Sequence, residues 1–301
     1  MALPLGLVTP VLSLNPRVAR DWEVTAGVDD LVEVARAADR AGFHHLTCSE
    51  HVAVPDGALS SVGTPRGTRY YDPAVTLGFL AATTSRIRLA THVLVAGLHH
   101  PLEVAKTYGT LDVLSGGRVV LGVGVGSLRA EFDALDRPFD GRGERADDFL
   151  RALRAVWGER EPTHPGPRYP VHGVVVDPCA TTVDPTLWVG GRTGRSLRRA
   201  IDLGDGWVPF GLTVAELAAL LGRARGSGAW EGRRRPFDVV LGVEELDPLG
   251  DPAGATARLE ERVALGAPAV DIRFLHRSRA HLVEQVQAAS VLATGLEPAG
   301  R

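Results

Sequence analysis

At 301 residues the chain has room for one large α/β barrel or two ordinary domains, and an apolar content of 45% supplies a sizeable core. A net charge of −3 argues against a nucleic-acid partner. Cys48 and Cys179, far apart, read as reduced thiols of a cytoplasmic protein, and no apolar run reaches the ~18 residues that would mark a membrane span.

Leu3 to Val8 predicts a first buried strand, followed by a loop over 9–26. Val28 to Ala41 predicts a helix: Asp29 and Asp30 favour its positive end, Leu31, Val34, Ala35 and Ala38 line one face, and Gly42 stops it. His45 to Ser49 is a second strand that runs into Glu50 and His51. The Gly-, Ser- and Pro-rich stretch 52–71 is long for a plain connection and reads as part of a substrate lid. Asp72-Pro73 opens a helix to about Thr84.

The stretch from Arg86 to Gly126 organises the chain. Ile87 to Val95 is apolar on both faces, as a buried parallel strand should be. Pro101 suits the first position of a helix, because its missing N–H would be unpaired there. Val104, Tyr108, Leu111 and Leu114 fall on one helical face, and Gly116 and Gly117 end the helix. Arg118 to Val123 is the returning strand, leading into Gly124 and Gly126.

Beyond it, a helix over Arg142 to Trp157 buries Phe149, Leu150, Leu153 and Val156. Residues 158–185 are irregular, with a short strand at Val174 to Val176. Strands at Thr186–Val189, Gly206–Pro209, Phe237–Glu244 and Val270–Phe274 then alternate with helices, one of them opened by a Thr213/Glu216 capping box. Strand and helix alternate eight times. That count favours an α/β fold of the (β/α)8 TIM-barrel type, a single domain over 1–301, with its chemistry at the carboxyl ends of the strands.

Several stretches invite chemistry. Gly122, Gly124 and Gly126 have G-x-G-x-G spacing and no helix directly after them, unlike a dinucleotide fingerprint. They either turn the chain at the barrel rim or leave bare backbone for a flat ring. Gly190-Gly191-Arg192-Thr193-Gly194-Arg195 leads from a strand into a helix, where free N–H groups make an anion site, or an ordinary turn. The histidine pairs His44-His45 and His99-His100 suggest metal, but neighbours on one strand point to opposite faces, so no metal is expected.

The joint pattern RIRL, HP, LD.LSGGR and LGVGVG resembles the luciferase-like monooxygenase family, most closely its branch that uses the deazaflavin coenzyme F420. The resemblance covers nearly the whole chain. It implies a bacterial luciferase-like TIM barrel that passes a hydride between F420 and a small organic substrate. The alternatives are an FMN-dependent monooxygenase using O2 and a flavin-binding barrel without turnover. It implies that Glu50 and His51 lie at the cofactor ring, with His51 giving or taking a proton. It also implies cofactor contacts from His92, Val93, Gly124, Gly126, Gly190, Gly191, Arg192 and Arg195, a non-proline cis peptide at His92-Val93, and a homodimer. Glu50 stands where the family usually has Asp, His99 where Arg is commoner, and Ser127 where many relatives have an aromatic residue.

Overall fold

The computed structural model describes residues 2–16, 18–59, 63 and 65–298. Eight parallel strands close into a barrel in sequence order: β1 (Leu5–Val8), β2 (His45–Cys48), β3 (Arg88–Val95), β4 (Val119–Gly124), β5 (Leu187–Gly190), β6 (Gly206–Val208), β7 (Asp238–Leu246) and β8 (Ala269–Phe274). The helices are α1 (Asp21–Thr25), α2 (Val28–Arg40), α3 (Pro73–Ala81), α4 (Pro101–Ser115), α5 (Arg129–Ala134), α6 (Arg142–Val156), α7 (Gly194–Leu203), α8 (Val214–Arg225), α9 (Gly228–Glu231), α10 (Pro252–Ala264) and α11 (Arg279–Ala293). A 3-10 turn, Ala96–Leu98, joins β3 to α4. This is the (β/α)8 architecture expected from the alternation.

Local chemistry sets the helix starts. Asp72 accepts the Val75 N–H at 2.9 Å ahead of Pro73, and Thr213 exchanges bonds with Glu216 as a capping box should. The LD.LSGGR motif is a pair of clamps. Asp112, fully buried, accepts the N–H and hydroxyl of both Thr181 and Thr182 on one oxygen, at 2.8–3.1 Å. Arg118 donates to the Ala81, Thr84 and Ile87 carbonyls and so ties the end of α3 to the start of β3.

Several expectations give way to tertiary packing. Leu114 points to solvent, 76% exposed, while Val104, Tyr108 and Leu111 are buried as predicted. Four residues past Leu111, the buried position is Ser115. No strand forms at Val174–Val176; elsewhere in 158–185 a bridge joins His164 to Val171, and Asp112 pins Thr181 and Thr182. The 9–26 loop contains α1, and the polar stretch after Ser127 contains α5. Part of the 52–71 segment, residues 60–62 and 64, lies outside the described residues.

The barrel interior is filled by Ala90, Val120, Trp188, Val208, Val240 and Ala269, with Val93 above them. It also holds a polar pair, His45 and Asp271, 0% and 3% exposed. Gly6 is bare to admit them, since a Cβ there would lie 2.2 Å from Asp271 Oδ1 and 2.3 Å from His45 Cε1.

Candidate active site

Because all eight strands are parallel, everything that follows a strand shares one rim. Glu50 and His51 follow β2, His92 and Val93 lie in the C-terminal half of β3, Gly124 ends β4 with Gly126 just beyond it, and Gly190 ends β5 ahead of Gly191 to Arg195. These residues therefore lie at one mouth of the barrel.

The His92-Val93 peptide is cis. Its carbonyl accepts the Ser49 hydroxyl at 3.0 Å. The Val93 side chain projects between the glycines of β4 and β5. A Cβ on Gly124 would lie 2.5 Å from Val93 Cγ2, and one on Gly190 2.7 Å from Val93 Cγ1. The space left by these two glycines is thus taken by Val93.

Glu50 is buried beneath the 3-10 turn. One oxygen accepts the Val95 N–H at 2.6 Å, and the other faces His99 Nε2 at 2.7 Å. Burial opposes a charge on His99, but the Glu50 bond and charge outweigh it and raise the imidazole's pKa. His99 thus faces the Glu50 carboxylate as its ionic partner.

His51 is held on both sides. Its Nδ1 is 2.9 Å from Glu131 Oε2, and its Nε2 accepts an N–H of Arg66. An arginine only donates, so His51 carries its proton on Nδ1 and presents a lone pair at Nε2. The edge of the ring meets Tyr70, with centroids 4.5 Å apart. Glu131 is 1% exposed and also accepts the Val52 and Ala53 N–H groups. Burial alone would raise its pKa, yet His51 and those amides hold the carboxyl below its ordinary value. Sequence reasoning missed Glu131 and Arg66, because neither belongs to a motif and both act across long loops. A glutamate on a short helix just past the glycine run was the one available signal.

At β5 the chain turns through Gly191, whose φ of +138° suits glycine and whose Cβ would lie 2.6 Å from Ser196 Cβ. Thr193 and Ser196 cap α7 reciprocally. The N–H groups of Gly194 and Arg195 have no partner among the described residues, nor has the Arg195 guanidinium. Of the arginines here, Arg199 pairs with Asp147, Arg198 with Asp202, and Arg192 lies near enough to Glu216 to lower its pKa, while Arg195 is exposed beside the turn.

The alternation argument for His44 and His45 fails. His44 lies ahead of β2, and the two Nδ1 atoms meet at 2.9 Å.

The luciferase-like monooxygenase family profile matches residues 10–244. The chain belongs to that family. A relative, an uncharacterized protein of Mycobacterium tuberculosis, is 31% identical over 237 residues, covering 73% of this chain and 81% of its own. The chain is also 28% identical to the 4-hydroxyprotoasukamycin monooxygenase of Streptomyces nodosus, over 88% of this chain and 73% of that one. It is 26% identical to the oxygenase component of the flavin-dependent trigonelline monooxygenase of Acinetobacter baylyi, over 58% and 46%. In structure it is similar to the monooxygenase RslO1 of Streptomyces bottropensis, with a TM-score of 0.71, 20% identity and 97% and 100% of the two chains covered. No helix among the described residues is long and apolar enough to cross a membrane.

Proposed function

We propose that this luciferase-like protein is a flavin-dependent monooxygenase that binds FMN at the C-terminal mouth of its barrel and acts on a small organic substrate. The observation that carries this reading is the turn from Gly190 to Arg195. It offers the two unpartnered N–H groups of Gly194 and Arg195, the positive end of a ten-residue helix and an open guanidinium. These are the donors a terminal phosphate needs. The relatives named for flavin use and monooxygenation support the same reading.

When bound, the reduced flavin would supply the electrons that activate O2. The chain's own residues position and move protons. Val93, wedged between Gly124 and Gly190, forms the floor on which a flat ring would rest. Glu50 and His99 fix the 3-10 turn beside it, and Glu50 acts as a positioning residue because both its oxygens are engaged. His51 is the proton acceptor. Glu131 holds its Nδ1–H, and its Nε2 becomes available when Arg66 gives way to substrate.

A second reading is F420-dependent hydride transfer. Arg192 and Arg195 beside the turn favour it, since F420 continues past its phosphate into an anionic tail. Titration of the protein with FMN and with F420, followed by fluorescence, decides between them. Tighter FMN binding, with O2 uptake when a flavin reductase supplies reduced FMN, supports the first reading. Tighter F420 binding without O2 uptake replaces it with the second, and binding without turnover on any substrate leaves a non-catalytic barrel. A homodimer is the proposed assembly, tested by light scattering.

A further inference from the structure

The interior of a (β/α)8 barrel is ordinarily packed with branched aliphatic side chains. Here four ionisable groups line up through it. His44 lies just ahead of β2, half-buried, its ring stacked against Trp188 with centroids 6.5 Å apart. Its Nδ1 is 2.9 Å from His45 Nδ1. His45 Nε2 is 2.6 Å from Asp271 Oδ1, and Asp271 Oδ2 is 3.9 Å from His92 Nδ1. The first two separations are within hydrogen-bond distance, and the third is about 1 Å longer. His92 ends the line at the opposite mouth, where 22% of its side chain is accessible and its peptide to Val93 is the cis bond.

Burying a carboxylate and two imidazoles costs more than filling the same space with aliphatic groups. The site described above makes no use of them, and Gly6 is kept bare to admit them. We propose that His44, His45, Asp271 and His92 form a proton relay that joins solvent at the N-terminal mouth of the barrel to the redox site at the C-terminal mouth. The proposal rests on the reading that a flavin-type ring binds above His92. Such a ring covers that mouth and cuts it off from bulk water, so protons consumed or released there need a second route.

The transfer balances. His44 takes a proton from water and gives its Nδ1–H to His45 Nδ1. His45 loses its Nε2–H to Asp271 Oδ1. The carboxyl group turns and delivers that proton from Oδ2 to His92 Nδ1, closing the last separation by ~1 Å to hydrogen-bond distance. One proton enters at His44 and one is delivered by His92, and rotation of the rings restores the starting tautomers.

The groups facing His92 are Asp271 and Arg273 on β8, His45 on β2 and Glu244 on β7. Burial lowers the His92 pKa against the pull of Asp271, which leaves the ring neutral and ready to accept. Burial raises the Asp271 pKa, but the neighbouring histidines outweigh it, and the carboxylate stays ionised between transfers.

Two measurements test the relay. In the cofactor-free protein, 15N NMR follows the titration of the His92 ring in wild type and in Asp271→Asn. Loss of the facing charge should lower the His92 midpoint by about one pH unit or more. In the FMN-bound protein, a pH-indicator dye follows proton uptake when the flavin is reduced by the methyl viologen radical, whose oxidation releases no proton. His44→Ala should slow uptake about tenfold, and added imidazole should restore the rate. An unmoved His92 midpoint in a folded Asp271→Asn, or uptake at the wild-type rate in His44→Ala, overturns the relay. The first measurement needs no cofactor, so it judges the column even if FMN fails to bind, and the binding titration judges the flavin reading separately. If Asp271→Asn does not fold, His44→Ala at the barrel mouth still decides.

Discussion

His51 Nδ1 and Glu131 Oε2 meet at 2.9 Å across 80 residues of chain. The pair ties the loop after β2 to α5, and it sets which ring nitrogen of His51 faces the mouth of the barrel.

Replacing Glu131 by Gln should cost ~1–3 kcal/mol, because the buried amide cannot accept from His51 and from two backbone N–H groups as the carboxylate does. The folded pKa of Glu131 is depressed below its reference of 4.5, so its stabilisation is present above that value and is lost as the pH falls through the folded one. Urea denaturation across the acid range should show this loss in wild type and a flatter curve in Glu131→Gln. Parallel curves would remove Glu131 from the account.

The Glu50–His99 pair has the opposite sign. The His99 pKa is raised above its reference of 6.5, so its stabilisation is complete below that value and fades as the pH rises through the folded one. Glu50→Gln should bring the His99 midpoint down, as read from its ring proton by NMR. A midpoint that stays in place would mean that Glu50 does not set the charge of His99.

Val93 and Gly190 should behave as a coupled pair. Gly190→Ala alone places a methyl 2.7 Å from Val93 Cγ1, an overpacking of ~1–3 kcal/mol. Adding Val93→Ala removes the clash, so the double variant should be more stable than additivity allows, by ~0.5–3 kcal/mol. Thermal melts of the four proteins give the coupling directly. Strict additivity would show that the two groups do not touch.

Arg192→Ala with Arg195→Ala should weaken FMN binding by roughly tenfold at low salt and by less at high salt, since exposed charges are screened. Gly191→Val should weaken it too, but with a loss of stability, because its φ and the nearby Ser196 both resist a side chain. Affinity unchanged by the arginine pair would move the phosphate away from this turn.

The Cys48 thiol is buried, and burial pushes its pKa up to about 12, helped by the charges of Asp72 and Glu50. Cys179 is only half-buried. A thiol reagent at neutral pH should therefore modify one cysteine quickly and the second only on unfolding. Two fast thiols would show that the end of β2 opens.

The barrel was legible in the sequence because it rests on local patterns. Most buried strands are short apolar runs, the starts of α3, α4, α8 and α10 carry a side-chain cap or a proline, and eight alternations close a barrel. The family motifs placed the rim residues Glu50, His51, Gly190 and Gly191 for the same reason, since each motif is contiguous. What the sequence alone could not decide is who faces whom. Glu131 reaches His51 over 80 residues, Val93 occupies the space of Gly124 and Gly190, and Asp271 meets His45 across the barrel interior. These contacts join strands and loops far apart in the chain, so closure of the barrel creates them. The partners that shift the proton affinities of Glu131, His99 and Asp271 against the pull of burial come together only once that closure is complete.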